Sequence, residues 1–451
     1  MPAVPRTPER TRHPHGLGGA SRFVGAGLLD QLVIAAANAA NTLLGGILLS
    51  KAHFGALALA LAVGYLAMYL NRAVVGDVLL ALASRYDGDP RVRLARNGLA
   101  TALCSGVVTT AVFVALWAAW PGHGQIDLRE LVRLAPFMVP IMLHDTARCD
   151  YLADRRPDKA LGIDLVWAGT QAVLVAVMIA THRCSAGALL TVWGLGATAG
   201  MTVYLLRERR LPWRGSPAAW LAETRHLSGW FTLTAIVAQV HTLAISFTVA
   251  GRLSKIDLGN FRFVQTVQLQ PVQNLVTAIS SLLTPRASRH AAEAAEPGPG
   301  GTAAAAALRR QTHRLALAFA VLGALMVLIV WPVVSYVLVH THKFAEAAPL
   351  ALPIALQGAV YLVQAPFTAA LRGMHQARAL FGQYVVFAVV SLGGLALGAG
   401  RGGLHGAAWG LLIGSAAGLI CMLMLYAGAL RSLGPSFAAP APARAEAPQN
   451  A

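Results

Sequence analysis

The chain has 451 residues, of which 56% are apolar and 12% charged, with a mean hydropathy of +0.58. Soluble domains carry roughly a quarter charged residues, so water is not the main solvent of this protein and a soluble enzyme is excluded. The net charge of +17 does not imply a nucleic-acid partner, because the arginines lie in short loops between apolar runs and not on one basic face.

In chain order, residues 1–22 hold Arg6, Arg10, Arg12 and Arg22 among prolines and read as a disordered cytoplasmic arm. No signal-peptide cleavage site follows. Apolar runs then centre near residues 38, 68, 108, 142, 170, 196, 240, 273, 326, 360, 389 and 418. Each is roughly 20 residues long, the length that crosses about 30 Å of hydrocarbon as a helix. A spanning barrel would need shorter segments alternating in polarity. The expectation is an all-α polytopic membrane protein of about twelve spans.

The loops test this count. With both termini inside, 26 of the 36 Lys and Arg residues fall in cytoplasmic segments, 9 in outer loops, and Arg72 within a span. That asymmetry follows the positive-inside rule and predicts a cell-membrane protein with both termini cytoplasmic. Two echoes suggest an internal repeat. Ala135-Pro136 with Pro140-Ile141 returns as Ala348-Pro349 with Pro353-Ile354, 213 residues on, and Ala83-Ser84-Arg85 returns as Ala287-Ser288-Arg289, 204 residues on. Both pair a span with the sixth one after it, predicting two parallel six-helix bundles at 23–206 and 230–430 around a central cavity. Between them, 207–229 reads as a basic cytoplasmic linker, with Trp213 and Trp220 suited to a leaflet surface. The segment Arg286–Arg314, with its Pro/Gly and alanine runs, reads as a flexible tether, and 431–451 as a disordered tail.

Function is sought among polar groups inside spans, since a charge in hydrocarbon costs at least roughly 2.5 to 3.5 kcal/mol and faces a cavity or a partner. In the first span Asp30, Asn38 and Asn41 fall within about 80° on a helical wheel, forming one polar stripe. Arg72 sits deep in the second span, with Asp77 five residues on, about 140° around an α-helix and poorly placed to pair with it. The fourth span ends His144-Asp145-x-x-Arg148-Cys149-Asp150, in which Asp145 and Arg148 share a face. Asp164 opens the fifth span. The second half offers uncharged polar groups, among them His241, Gln268, Gln270, Gln273, Asn274, Gln357 and Gln364. Cavity lining is expected of Arg72, Arg148, Asp145, Asp30, Asn38, Asn41, Asp77, His144 and Gln364, and gating or ion coupling of Asp30, Asp164 and His241. There is no phosphate loop, paired-His motif or nucleophile elbow, and no cofactor or metal is expected.

Several segments resemble a known family. Leu29-Asp30-Gln31 through Asn41, Phe54-Gly55-Ala56-Leu57-Ala58 and Asn71-Arg72-Ala73-Val74-Val75-Gly76-Asp77 are similar to the opening of actinobacterial polysaccharide-flippase-like proteins of the multidrug/oligosaccharidyl-lipid/polysaccharide (MOP) exporter superfamily. Asn71 and Asp77 stand where that pattern has Ser and Glu. Asp145-x-x-Arg148, Arg156-Pro157-x-x-Ala160, Asp164-Leu165-x-Trp167-x-x-x-Gln171 and Ala347-Ala348-Pro349-Leu350 resemble its later signatures. The resemblance implies two six-helix lobes about a V-shaped cavity that move a lipid-linked glycan by alternating access. It also implies Arg72 and Arg148 as contacts to pyrophosphate or acidic sugar, membrane lipids as surroundings, and a glycan polymerase or glycosyltransferase as partner. A cation-coupled multidrug antiporter of the same fold, a different twelve-span carrier and a membrane glycosyltransferase or polymerase remain open alternatives.

Overall fold

The computed structural model describes residues 51–431 apart from 120–127, 254, 296–297 and 341–344, together with scattered positions of the first span between 25 and 49. The described residues are almost entirely helical, without a strand among them. Inside a bilayer the backbone must satisfy its own hydrogen bonds, and helices do so within one segment.

The second span is α1 (Lys51–Asn71), a π-helical turn (Arg72–Gly76), α2 (Asp77–Leu82) and a 3-10 turn (Ala83–Arg85). Then come α3 (Gly88–Ala119), α4 (Arg129–Leu134) leading through the 3-10 turn Ala135–Phe137 into α5 (Met138–Ala153), α6 (Pro157–Ala180) and α7 (Ala186–Glu208). The second half holds α8 (Pro217–Arg252), α9 (Lys255–Val264) running through the π turn Gln265–Leu269 into α10 (Gln270–Ala294), α11 (Pro299–His340), the 3-10 segment Ala345–Leu350 with α12 (Ala351–Gly373), and α13 (Ala377–Arg431). The last is two helices folded at Gly402–Gly403, where Gly403 takes φ 56°, a value glycine adopts without penalty. Eight of these stretches are long and apolar enough to span. Among the described residues, the fold in α13 and the broken helices Arg129–Ala153 and Lys255–Ala294 add to these, consistent with the expected count of about twelve.

The repeat is visible in local geometry. Both Ala-Pro echoes lie in 3-10 turns that lead into the fourth and tenth spans, Pro136 in the first turn of its segment and Pro349 inside its own. The turns that close these spans match as well. Arg155 (φ 60°) and His375 (φ 59°) occupy left-handed positions 220 residues apart. Arg155 N–H donates to Leu152 and Arg156 N–H to Tyr151, as His375 N–H donates to Arg372 and Gln376 N–H to Leu371.

Two sequence expectations change. The 207–229 segment is not a separate surface element: after a 3-10 turn at Pro212–Arg214, α8 runs unbroken through position 229 into the seventh span. Trp220 is fully buried and donates from Nε1 to the Val74 carbonyl at 3.2 Å, so it anchors span seven to span two and does not lie on a leaflet; Trp213 stays exposed. Nor is Arg286–Arg314 a tether. Its alanines continue α11, with Pro299 at the helix start and Ala304 and Leu308 buried, because alanine is the best helix former and proline suits the first turn.

The cores show how the lobes meet. One apolar cluster joins both halves at the arginine-rich end, uniting Val78, Leu79 and Tyr151 with Leu282, Leu308 and Met374. At the other end each lobe has its own core, one around Leu134, Met138 and Trp193 and one around Phe261, Leu350 and Leu411. The lobes are thus packed together at the arginine-rich end and separate toward the opposite one.

Candidate functional site

Three elements converge inside the first lobe. Arg148 on α5 reaches Asp164 on α6 from Nε at 2.7 Å, Asp30 of the first span from NH2 at 3.0 Å, and Asp145 one turn back from NH1 at 3.4 Å. Its side chain is 8% exposed and those of Asp30 and Asp164 are fully buried. His144 completes the group, its Nε2 3.3 Å from Asp164 Oδ1. The ring fits because Gly200 faces it: a Cβ there would stand 2.6 Å from the imidazole. Asp30 and Asp164 thus hold the same guanidinium from two different spans.

Arg72 opens the π turn of span two. That turn closes i to i+5 bonds, and the Asp77 N–H donates to the Arg72 carbonyl, which stacks residue 77 over residue 72. The separation of about 140° holds only for an α-helix. Here Arg72 Nε lies 3.7 Å from Asp77 Oδ1, a correction to the expectation that Asp77 is poorly placed to pair with it. Arg72 also meets Asp145 at 3.4 Å and donates from NH2 to Ser281 Oγ on α10 at 2.8 Å. It therefore links the Arg148 cluster to the second lobe.

Below it, a band of polar contacts ties the lobes at the arginine-rich end. Arg372 at the end of α12 donates to Asp77 at 3.2 Å, and its guanidinium lies 5.7 Å from the Phe231 ring centre. Arg85 donates from Nε to Ser288 Oγ and from NH2 to the Gly373 carbonyl, each at 2.8 Å. Ser288 in turn donates to the Ala81 carbonyl. Gly373 permits this approach, since a Cβ there would lie 2.5 Å from Ser288 N. His375, in the loop after α12, stands 3.3 Å from the same Ala81 carbonyl. Burial first and Arg85 second push its imidazole down to about 3.

A second buried network braces the fold. Asp150 takes Arg91 of α3 at 2.6 Å, the Tyr204 hydroxyl of α7 at 2.6 Å, and Arg210; Asp154 adds Arg91 at 3.0 Å. Two arginines and two aspartates neutralise one another there, joining spans three, four and six.

The profile of the family described as polysaccharide biosynthesis protein matches residues 48–297, which include Arg72, Arg148, Asp164 and, of the interlobe band, Asp77, Arg85 and Ser288 but not Arg372 or Gly373. The chain belongs to this family. Solved structures agree on the fold. A mutant of the Vibrio cholerae MATE transporter VcmN superposes with a TM-score of 0.74 at 12% identity over 91% of this chain and 96% of that one. A MOP superfamily transporter from Pyrococcus furiosus, described by a reversed polarity of its binding pocket, gives 0.72 at 13% identity over 91% and 95%. A multidrug resistance MATE family transporter in an outward-facing conformation gives 0.69 at 14% over 92% and 96%. No curated protein matches the sequence. The chain is thus a multi-pass membrane protein of the polysaccharide biosynthesis family, with the fold of these solved transporters.

In this polysaccharide biosynthesis family member the remaining candidates scatter. His241 bonds Ser391 Oγ at 3.0 Å and packs on Phe387, and Gln364 donates to the Ser415 carbonyl at 3.1 Å. Both sit within the second lobe, away from the Arg148 cluster. Asn41 is buried, while Asn38 lies outside the described residues. One uncharged group gains weight: Gln270, Gln273, Asn274 and Thr277 are exposed along one face of α10, the face that also carries Ser281 and Ser288 toward the first lobe. Exposed amides at that depth in a span require a watery cleft. Arg372, Ser281 and Arg85 were missed as site residues. The Ser-Arg echo at Ser84-Arg85 and Ser288-Arg289 was the signal for part of this band; nothing in the local sequence marks Arg372.

Proposed function

We propose that this transporter moves a lipid-linked oligosaccharide or polysaccharide precursor from the inner to the outer leaflet by alternating access. The family match over residues 48–297 carries the reading, and the geometry gives it a mechanism. Arg148 is saturated by three carboxylates, so it acts as a clamp within the lobe. Arg72, at 18% exposure, is the guanidinium left to meet a phosphate-bearing head group, a match to its planar donors. The amide stripe on α10 offers neutral donors and acceptors for sugar hydroxyls.

When a head group takes Arg72, the links to Asp145 and Ser281 loosen. The band from Asp77–Arg372 to Arg85–Ser288 can then part and open the arginine-rich end. With that end cytoplasmic, as the loop charges predict, the conformation described is closed to the cytoplasm. The protein then sits in the cell membrane with both termini inside, working beside a glycan polymerase or glycosyltransferase.

A second reading, a cation-coupled multidrug antiporter, is favoured by one observation: two fully buried carboxylates, Asp30 and Asp164, gathered on Arg148. Export assays in cells separate the two. Arg72→Ala and Arg72→Lys should both abolish surface glycan while membrane abundance stays near normal, lysine failing for want of a bidentate fork. Normal glycan with lost drug efflux in either variant would favour the antiporter.

A further inference from the structure

The two faces of α10 differ. Gln270, Gln273, Asn274, Thr277 and Ser281 follow one helical face, whereas Leu275, Ile279, Leu283 and Arg286 follow the opposite one at about 100° per residue. That second face does not close on its neighbour. With Leu315, Phe319 and Leu322 of α11 it borders an elongated groove of about 750 Å3. The groove is apolar along its length and cationic at one mouth, where Arg286, Arg310 and Arg314 gather. Arg310 and Arg314 are one helical turn apart on α11 and are exposed. Among the described residues no carboxylate forms an ion pair with either.

The surrounding charge adds to this. Arg155, in the turn after the fourth span, lies close enough to Arg286 and Arg289 for their charges to repel. Arginines crowded at one mouth repel one another, and an anion relieves that repulsion. The length also decides the occupant. From Leu275 to Arg286 is eleven residues, about 16 Å of helix, close to the half-thickness, about 15 Å, of a bilayer hydrocarbon core. A groove one leaflet deep, apolar inside and cationic at the head-group level, complements a single-leaflet anionic lipid.

We propose that the groove between α10 and α11 binds an anionic phospholipid of the leaflet at the arginine-rich end, its phosphate on Arg310, Arg314 and Arg286 and an acyl chain along Ile279, Leu283 and Phe319. This site is separate from the cleft and does not depend on which substrate the cleft carries. A lipid seated there braces α10, the helix that holds Ser281 and Ser288 against the first lobe.

Native mass spectrometry of the full-length protein in detergent, titrated with long-chain phosphatidylglycerol, tests it. Wild type should retain phosphatidylglycerol in preference to phosphatidylcholine, and inorganic phosphate should not compete. Arg310→Gln with Arg314→Gln should weaken retention by about tenfold or more, as expected for losing charge-assisted hydrogen bonds. Ile279→Trp, which fills the groove and leaves the arginines, should do the same. Arg309→Gln, one position away and beside Tyr426, should not. Equal retention in the double variant, or an equal loss in Arg309→Gln, would overturn the proposal. Competition by phosphate alone, or displacement by an equimolar polyprenyl phosphate, would overturn it too, reassigning the mouth to free anions or the groove to the lipid-linked substrate.

Discussion

The two lobes share a backbone plan but differ in what fills it. On the 213-residue spacing of the fourth and tenth spans, His144 corresponds to Gln357 and Arg148 to Tyr361. On the 220-residue spacing set by the turns at Arg155 and His375, Asp164 corresponds to Tyr384 and Trp167 to Phe387. In the first lobe these positions build a charged core, Arg148 among Asp30, Asp145 and Asp164. In the second lobe they build a neutral one, in which Gln357 donates to Tyr361 Oη at 3.0 Å and to Ser415 Oγ at 3.1 Å, with Tyr361 and Tyr384 both stacking on Phe387. Ring packing between the two spans survives in each lobe, His144 with Trp167 at 6.0 Å and Tyr361 with Phe387 at 6.3 Å. The fold therefore tolerates either chemistry at these positions.

The difference can be broken most severely at its centre. Arg148→Met leaves Asp30 and Asp164 buried without their cation and should cost about 3–5 kcal/mol, the range for an orphaned buried charge. Tyr361→Phe, at the corresponding place, removes one neutral hydrogen bond and should cost about 1 kcal/mol. Thermal unfolding of the purified variants in detergent compares them; equal losses would mean that the two cores are energetically alike.

The paired turns give the next effect. His375 titrates and Arg155, its counterpart, does not within the accessible range. His375 bound neutral in the fold has its pKa lowered from 6.5 to about 3, so the unfolded chain takes the proton first. The contribution to stability is complete above about pH 6.5 and lost progressively as pH falls toward 3, on the order of 2 kcal/mol by pH 5. His375→Gln should flatten this acid arm of the unfolding profile, while Arg155→Gln should leave it intact. An unchanged slope in His375→Gln would show that other groups set the acid sensitivity.

The smallest effect lies where the lobes meet. Asp77 and Arg372 are partly exposed, 13% and 26% at the side chain, and a pair of this kind is worth about 0.2–1 kcal/mol. Reversing it as Asp77→Arg with Arg372→Asp should recover most of what either change loses in glycan export. Additive losses would mean that Asp77 serves Arg72 more than it serves Arg372.

The Asp145 and Arg148 pairing was legible in the sequence because three residues within one helix fix a geometry. The partners Asp30 and Asp164, 118 and 16 residues away, were visible as buried acids but not as partners, since nothing local sets which spans touch. The error over Arg72 and Asp77 is instructive: one π turn changes the angle between residues five apart, and Ala73-Val74-Val75-Gly76 carries no signal for it.

By itself the sequence determined the membrane class, the all-helical fold and the long apolar runs, because hydrocarbon thickness fixes helix length and an apolar run is a local property. It also determined the family resemblance and the inventory of charged residues inside spans. Tertiary structure decided which of those charges meet, that positions 217–229 belong to the seventh span's helix and 286–294 and 299–314 to two long helices, and which end of the lobes is closed. Those outcomes depend on contacts between residues hundreds of positions apart, such as Arg85 with Ser288 and Asp77 with Arg372, whose free energy appears only once both helices are in place.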